Sequence, residues 1–152
     1  MRKIVTAILL LLATCSMMCV SCTNGVNSSD EVVTGGIDFF KGTWDEALAK
    51  ASKENKMVFL DAYASWCGPC KKMKRNVFTD TAVAAFFNNN FVNVAADMEV
   101  GEGVMLADKF GIDSYPTLLF TNGDGMQLVR ESGYQDPEEL VELAKTVLNN
   151  KK

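Results

Sequence analysis

Met57-Val58-Phe59-Leu60-Asp61-Ala62-Tyr63-Ala64-Ser65-Trp66-Cys67-Gly68-Pro69-Cys70-Lys71-Lys72-Met73-Lys74-Arg75 is the stretch that decides the fold. An apolar run leads into a Cys-x-x-Cys pair, and a breaker-free run of good helix formers follows, so the pair sits where a buried strand hands over to a helix. The first turn of a helix has free backbone N–H groups and the positive end of the macrodipole, which favour a thiolate at Cys67. Lys71, Lys72, Lys74 and Arg75 add positive charge on the same side. The two-residue spacer brings the sulfur of Cys70 round the first turn to that of Cys67, so the pair can close and reopen as a disulfide. Gly68 allows close backbone approach by a substrate, and Pro69 suits a first turn that does not need its N–H. Cys67 is expected to be the more exposed and more acidic thiol, and Cys70 the shielded one.

Half of a zinc site has the same spacing, but the chain has no His, and its other cysteines are confined to the N-terminus, so zinc would need carboxylate ligands. An inert structural disulfide is the other reading, although so short a loop gains little from closure. No metal and no cofactor beyond the Cys67/Cys70 pair is expected. The absence of His also excludes Ser-His-Asp and Cys-His catalysis within one chain.

The chain has 152 residues, 48% of them hydrophobic, which suffices for one domain with a core. Its formal charge is -4, and the chain without its leader has 13 basic against 19 acidic residues, so a nucleic-acid partner is not expected. Residues 1–22 read as an export signal: Arg2-Lys3 is the charged start and Ile4 to Ala13 the apolar core. An uncleaved membrane anchor is the alternative, at the short limit for spanning a bilayer. Val20-Ser21-Cys22 resembles a bacterial lipoprotein processing site with Cys22 as the lipidated residue, although Cys19 stands where such sites usually have Leu; simple secretion is the competing reading. Residues 23–36 are small and polar and form a tether, and residues 37–152 form the domain.

Within that domain Thr43-Trp44-Asp45-Glu46 is a capping box, opening a helix to about Asn55 with Trp44 as a core anchor. After the strand Met57–Tyr63, the active-site helix ends near Asn76, and Thr79-Asp80 starts a helix closed by Asn88-Asn89-Asn90. Phe91–Asp97 is a second strand, and a short helix from about Val104 to Phe110 stops at Gly111. Ser114–Phe120 is a third strand entered through Pro116, Asn122-Gly123-Asp124-Gly125 turns into a fourth at Met126–Glu131, and Asp136-Pro137-Glu138-Glu139 caps the last helix. The strands separated by helices give a parallel first half, and the hairpin adds an antiparallel edge. The class is α/β, a small mixed sheet with helices on both faces.

Three linked features, Asp61 six residues before Cys67, Trp66-Cys67-Gly68-Pro69-Cys70, and Tyr115-Pro116-Thr117 before an apolar strand, resemble the thioredoxin family over roughly Trp44 to Val147. Phe59 to Cys67, Val77-Phe78-Thr79-Asp80 and Gly133-Tyr134-Gln135-Asp136 are most similar to the C-terminal periplasmic domains of disulfide reductases of the DsbD type. The resemblance implies a thioredoxin fold with a central four- to five-stranded mixed sheet. It also implies an exported thiol-disulfide oxidoreductase of the cell envelope, in the periplasm or membrane-tethered, acting as a monomer. Cys67 would attack a disulfide of a client protein and Cys70 would resolve the mixed disulfide. Asp61 would be the buried acid that relays the proton of Cys70, since an acid on an apolar strand should be hard to ionise; a carboxylate hydrogen-bonded at a strand end is the alternative. Pro116 would be a cis-proline letting the Tyr115 backbone pair with an extended client, and Trp66, Gly68 and Pro69 would complete the substrate surface, although Trp66 could equally pack over the motif. Many thioredoxins carry a lysine near the buried acid on the strand that here holds Asn93. The implied partners are disulfide-containing clients and a thiol electron donor, with a membrane-bound donor as one alternative. A client-binding module with little turnover is the alternative function.

Lipidation at Cys22 has a direct check. In cells fed a labelled fatty acid the wild type is expected to incorporate label and Cys22→Ser is not; equal labelling, or none in either, overturns the lipid anchor and leaves export untouched.

Overall fold

A computed structural model describes residues 35–150. The leader, the lipidation at Cys22 and the tether as far as Thr34 lie outside the described residues. The element order is α1 (Trp44–Glu54), β1 (Met57–Tyr63), α2 (Gly68–Asn76), α3 (Thr81–Asn90), β2 (Phe91–Asp97), α4 (Glu102–Phe110), β3 (Thr117–Thr121), β4 (Gln127–Ser132) and α5 (Pro137–Asn149).

Strand order is β2-β1-β3-β4. β1 pairs parallel with β2, from Met57 opposite Phe91 to Tyr63 opposite Asp97, and antiparallel with β3. β4 pairs antiparallel with β3 and so runs in the same direction as β1, leaving β3 as the strand that runs against the others. Phe39 adds a single parallel bridge to Asn93 at the outer edge of β2. The period-2 alternation of β1 divides the core. Met57 and Phe59 pack with Met73 and Val77 of the active-site helix region, Phe87 of α3, and Leu140 and Ala144 of α5. Val58, Leu60 and Ala62 pack with Trp44, Ala47 and Ala51 of α1 and Leu106 and Phe110 of α4. A strand covered on both faces reads as a continuous apolar run, which is why Met57–Tyr63 shows no polar alternation. Asp61 falls on the Met57/Phe59 side and so lies beneath α2.

The caps stand where the sequence places them. Thr43 and Glu46 form the capping box of α1, and Asp136 and Glu139 that of α5. The third helix starts two residues later than Thr79: Asp80 is the N-cap, accepting from the N–H groups of Ala82 and Val83, while the Thr79 hydroxyl turns back to the carbonyl of Arg75. β3 begins only at Thr117, because Pro116 has no N–H for the ladder. Trp44 is a core anchor, with its ring edge-on to Phe110.

α4 starts two residues earlier than the apolar pattern suggests, and Gly103 explains how it fits under β2: a Cβ there would stand 1.9 Å from the carbonyl oxygen of Asp97. That contact is with backbone and cannot be relieved by a rotamer change. Gly103→Ala is expected to destabilise the fold by about 2 kcal/mol or more. Gly68→Ala, with nothing within 4 Å of the added carbon, is expected to have little effect. Urea denaturation of both variants checks the contrast.

Candidate active site

The chain leaves β1 at Tyr63 and enters α2 at Gly68, with Cys67 as the extended N-cap residue. Cys67 Sγ accepts a hydrogen bond from the N–H of Cys70 at 3.1 Å, one of the free donors of the first turn. Pro69 occupies that turn, and Lys74 and Arg75 lie in the last. Cys67 and Cys70 are joined by a disulfide, their Cα atoms 5.4 Å apart. Exposure does not separate the two thiols as expected: Cys67 is 2% and Cys70 6% exposed. The reason is packing, since both pack with Ala64, and Tyr63 and Tyr115 lie against the cluster. What separates the two sulfurs is their surroundings. Cys67 receives the helix N–H, whereas Cys70 borders an inner cavity.

That cavity has a volume of about 390 Å³ and brings together Asp61, Tyr63, Cys70, Lys74, Phe39 and Ala95. Asp61 is the fifth residue of β1, not a strand end, and its Oδ1 is buried without a hydrogen-bond partner. Burial therefore pushes its pKa up from 3.8 to about 7, against the opposing pull of the Lys74 ammonium. Register places Ala95, not Asn93, opposite Asp61 on β2. Asn93 lies opposite Phe59, and its amide binds the carbonyl of Asp38 and the side chain of Asn88, fastening the segment that carries Phe39.

Trp66 is 65% exposed, and its ring meets Tyr115 edge-on at 6.0 Å. Its indole N–H donates to Glu99 Oε2 at 2.8 Å. Asp97 accepts from the backbone N–H groups of Ser65 and Glu99, tying the loop before Cys67 to the end of β2. The Tyr115–Pro116 bond is cis, and the carbonyl of Pro116 is taken by the N–H of Gly133. Asp97, Glu99 and Phe39 escaped sequence reasoning, and Lys74 entered it only as one of four basic residues on the helix. Asp97 could have been found as the acid ending an apolar strand parallel to β1; nothing local marks Lys74 among four basic neighbours.

Residues 40–123 match the thioredoxin-like family. The chain belongs to that family. It is 29% identical over 121 residues to the thiol:disulfide interchange protein DsbD of Pseudoalteromonas atlantica, a match covering 78% of this chain and 20% of that protein. It thus spans about a fifth of the length of this relative. A solution structure of a candidate disulphide-isomerase from Bacteroides thetaiotaomicron is similar at 43% identity and a TM-score of 0.68, covering 78% of this chain and 98% of the other. The C-terminal domain of DsbD from Neisseria meningitidis shares the fold at 24% identity and a TM-score of 0.59, over 72% of this chain and 98% of that domain. The sheet and helices described above are a thioredoxin fold, and with the Cys67–Cys70 pair this thioredoxin-like chain is a thiol-disulfide oxidoreductase. Among the described residues no helix is long and apolar enough to cross a membrane.

The raised pKa of Asp61 has a consequence for stability. Between its ordinary value of 3.8 and about 7, the folded state keeps a proton that the unfolded state releases. Stability is therefore expected to fall as pH rises through that window, by roughly 4 kcal/mol in total, and to level off above it. Asp61→Asn is expected to lose this slope and to exceed the wild type in stability at pH 8. Urea titrations of both proteins at pH 5 and pH 8 test it; parallel losses would show that Asp61 is not the group responsible.

Proposed function

We propose that this chain is an exported oxidoreductase of the cell envelope that reduces or isomerises disulfides in client proteins. Its domain is residues 37–152, held by the tether 23–36 from a leader ending at Cys22. The observation that carries the reading is the placing of the two sulfurs: Cys67 at a helix N-terminus, and Cys70 facing a cavity that contains a buried acid with a pKa near neutrality. The charged start and apolar core of residues 1–22 support export, as does similarity to DsbD.

In the reduced protein the Cys67 thiolate attacks one sulfur of a client disulfide, forming a mixed disulfide and releasing the other client sulfur as a thiolate, which takes a proton from water. Cys70 passes its proton to the Asp61 carboxylate and attacks Cys67 Sγ. The Cys67–Cys70 bond forms, the bond to the client breaks, and the second client sulfur leaves as a thiolate that is then protonated. Two electrons pass to the client, and a thiol donor must return them to Cys67–Cys70. A base whose pKa is near ambient pH suits the second step. Trp66 and Tyr115 form an aromatic rim beside Cys67, and the open space over Gly68 leaves room for a client backbone. Cis-Pro116 fixes the Tyr115 backbone beside them.

The assignment of the sulfurs is read from trapping. Cys70→Ser is expected to accumulate covalent complexes with envelope proteins that dithiothreitol dissolves, and Cys67→Ser to trap none and reduce no insulin. Trapping only by Cys67→Ser would reverse the roles, and a wild type inert toward insulin would leave client binding without turnover. Gly68-Pro69 and the absence of His also point to a reducing poise. The potential against glutathione is expected nearer about -270 mV than about -120 mV, and a value above about -150 mV would overturn this direction.

A further inference from the structure

The exposed apolar side chains of the domain are gathered near one end of the sheet. Six large hydrophobic residues are exposed among the described residues, and four of them, Trp66, Val100, Val104 and Met105, belong to the loop before Cys67 or to the start of α4. The other two, Met126 and Leu128, follow the β3–β4 turn at the opposite end. Local contacts make the four into one surface. The N–H of Met98 donates to the carbonyl of Tyr63, and Gly103 lets the first turn of α4 sit against the carbonyl of Asp97. Asp97 accepts from the Ser65 N–H, and Glu99 from the Trp66 indole. The carbonyl of Val100 takes the N–H of Gly103, which folds Val100 back on the start of α4. Val104 and Met105 face solvent there, because Gly103, Leu106 and Phe110 take the inner side of the helix.

The rim gives this surface a sign. From Asp97 to Tyr115 the chain has five carboxylates and one basic residue, Lys109. Two of the five are held by backbone: Asp97 by the N–H groups of Ser65 and Glu99, and Glu102 by that of Trp44. Glu99, Asp108 and Asp113 are exposed, and Asp108 stands four residues from Val104 on the same face of α4. Lys109 is turned away, with Nζ 5.3 Å from the ring centroid of Phe110 and 5.9 Å from that of Trp44. Glu99 uses Oε2 for the indole of Trp66, and its Oε1 has no partner among the described residues.

We propose that the surface from Trp66 over Val100 to Val104 and Met105 docks a client segment with an apolar side chain and a lysine or arginine beside its disulfide, and that Glu99 selects the basic residue. The inference deepens the proposed oxidoreductase function and rests on it for the occupant being a client. A basic side chain can donate to Glu99 Oε1 while its apolar neighbour covers Val100 and Val104. An acidic segment would meet Glu99, Asp108 and Asp113 with like charge. Exposed pairs contribute little affinity, so the effect is on selection and encounter rate. The apolar part excludes water from the contact, and it is continuous with the aromatic rim beside Cys67, so seating a segment on it brings the disulfide to that side of the site.

The test uses the full-length protein and two matched synthetic peptides, each closed by one disulfide and containing a leucine, with lysines beside the disulfide in one and glutamates in the other. The reduced wild type is expected to reduce the lysine peptide roughly 5–10 times faster at low salt, and the ratio to approach parity at about 0.5 M salt. Glu99→Gln, which keeps an oxygen for the Trp66 indole, should at least halve the ratio, and Glu99→Lys should invert it. Val104→Ser combined with Met105→Ser should slow both peptides alike, by about 3-fold, whereas Met126→Ser at the far end should slow neither. Asp124→Asn removes the same charge at the far turn and should leave the ratio in place. An unaltered ratio in Glu99→Gln, an equal change in Asp124→Asn, or a wild-type preference for the glutamate peptide would overturn the proposal. Docking is read apart from turnover, from the Trp66 indole N–H signal in NMR of the disulfide form titrated with serine-for-cysteine versions of both peptides. The lysine peptide should shift that signal, the glutamate peptide should not, and Glu99→Gln should weaken the shift. If the lysine peptide shifts the signal with this preference yet neither disulfide peptide is reduced, the docking surface stands and the proposed reductase function fails. Reduction of both at equal rates leaves the function standing and removes the docking surface.

Discussion

A carboxyl group on a strand buried from both faces is the constraint from which the active site of this protein follows. β1 lies between β2 and β3, and six of its seven side chains are buried. Five of these six are apolar and contribute to the core in the ordinary way; Asp61 is the sixth. Its desolvation opposes folding whenever the carboxyl is charged, and no neighbouring N–H or hydroxyl offsets this at Oδ1. The fold tolerates the residue because a proton can neutralise it. The proposed role as proton acceptor for Cys70 would draw on the same proton affinity, so the destabilising position and that role would have one physical origin.

The surroundings of the dithiol are electrically divided. α2 carries Lys71, Lys72, Lys74 and Arg75 after the sulfurs, while Asp97 at the end of β2 and Glu99 just beyond it bind the loop before Cys67 at Ser65 and Trp66. Burial raises the pKa of the Tyr115 phenol, and the charges of Glu99 and Asp97 add to the shift. Those carboxylates also have a mechanical part: Asp97 holds the Ser65 N–H and Glu99 holds the indole of Trp66, so the loop before Cys67 is fixed from the neighbouring strand.

The segment before α1 belongs to the site as well as to the fold. Ile37 is buried with its N–H on the carbonyl of Phe78, and Asn88 and Asn93 bind the backbone from Gly36 to Asp38. Phe39, fixed in this way, forms one apolar wall of the Asp61 cavity. The segment before α1 therefore contributes to the surroundings of the buried acid.

Local chemistry was legible in the sequence. The capping boxes at Thr43 and Asp136, the apolar run of β1, the proline before β3 and the Asn122–Gly125 turn act over a few residues, and each appears in the structure close to its expected place. The Cys67/Cys70 pair at a helix start and the high proton affinity of Asp61 were readable for the same reason. The tertiary structure alone decided which distant groups meet them. Parallel register put Ala95 opposite Asp61 and Asn93 among the groups that bind the Gly36–Asp38 backbone; the return of β2 brought Asp97 and Glu99 to the loop before Cys67; and packing of Tyr63 and Tyr115 buried both sulfurs alike. Electrostatic strength depends on separation and on the exclusion of water, and neither is set until strands pair and helices cover them, so the tuning of this site was not fixed by any stretch of the sequence on its own.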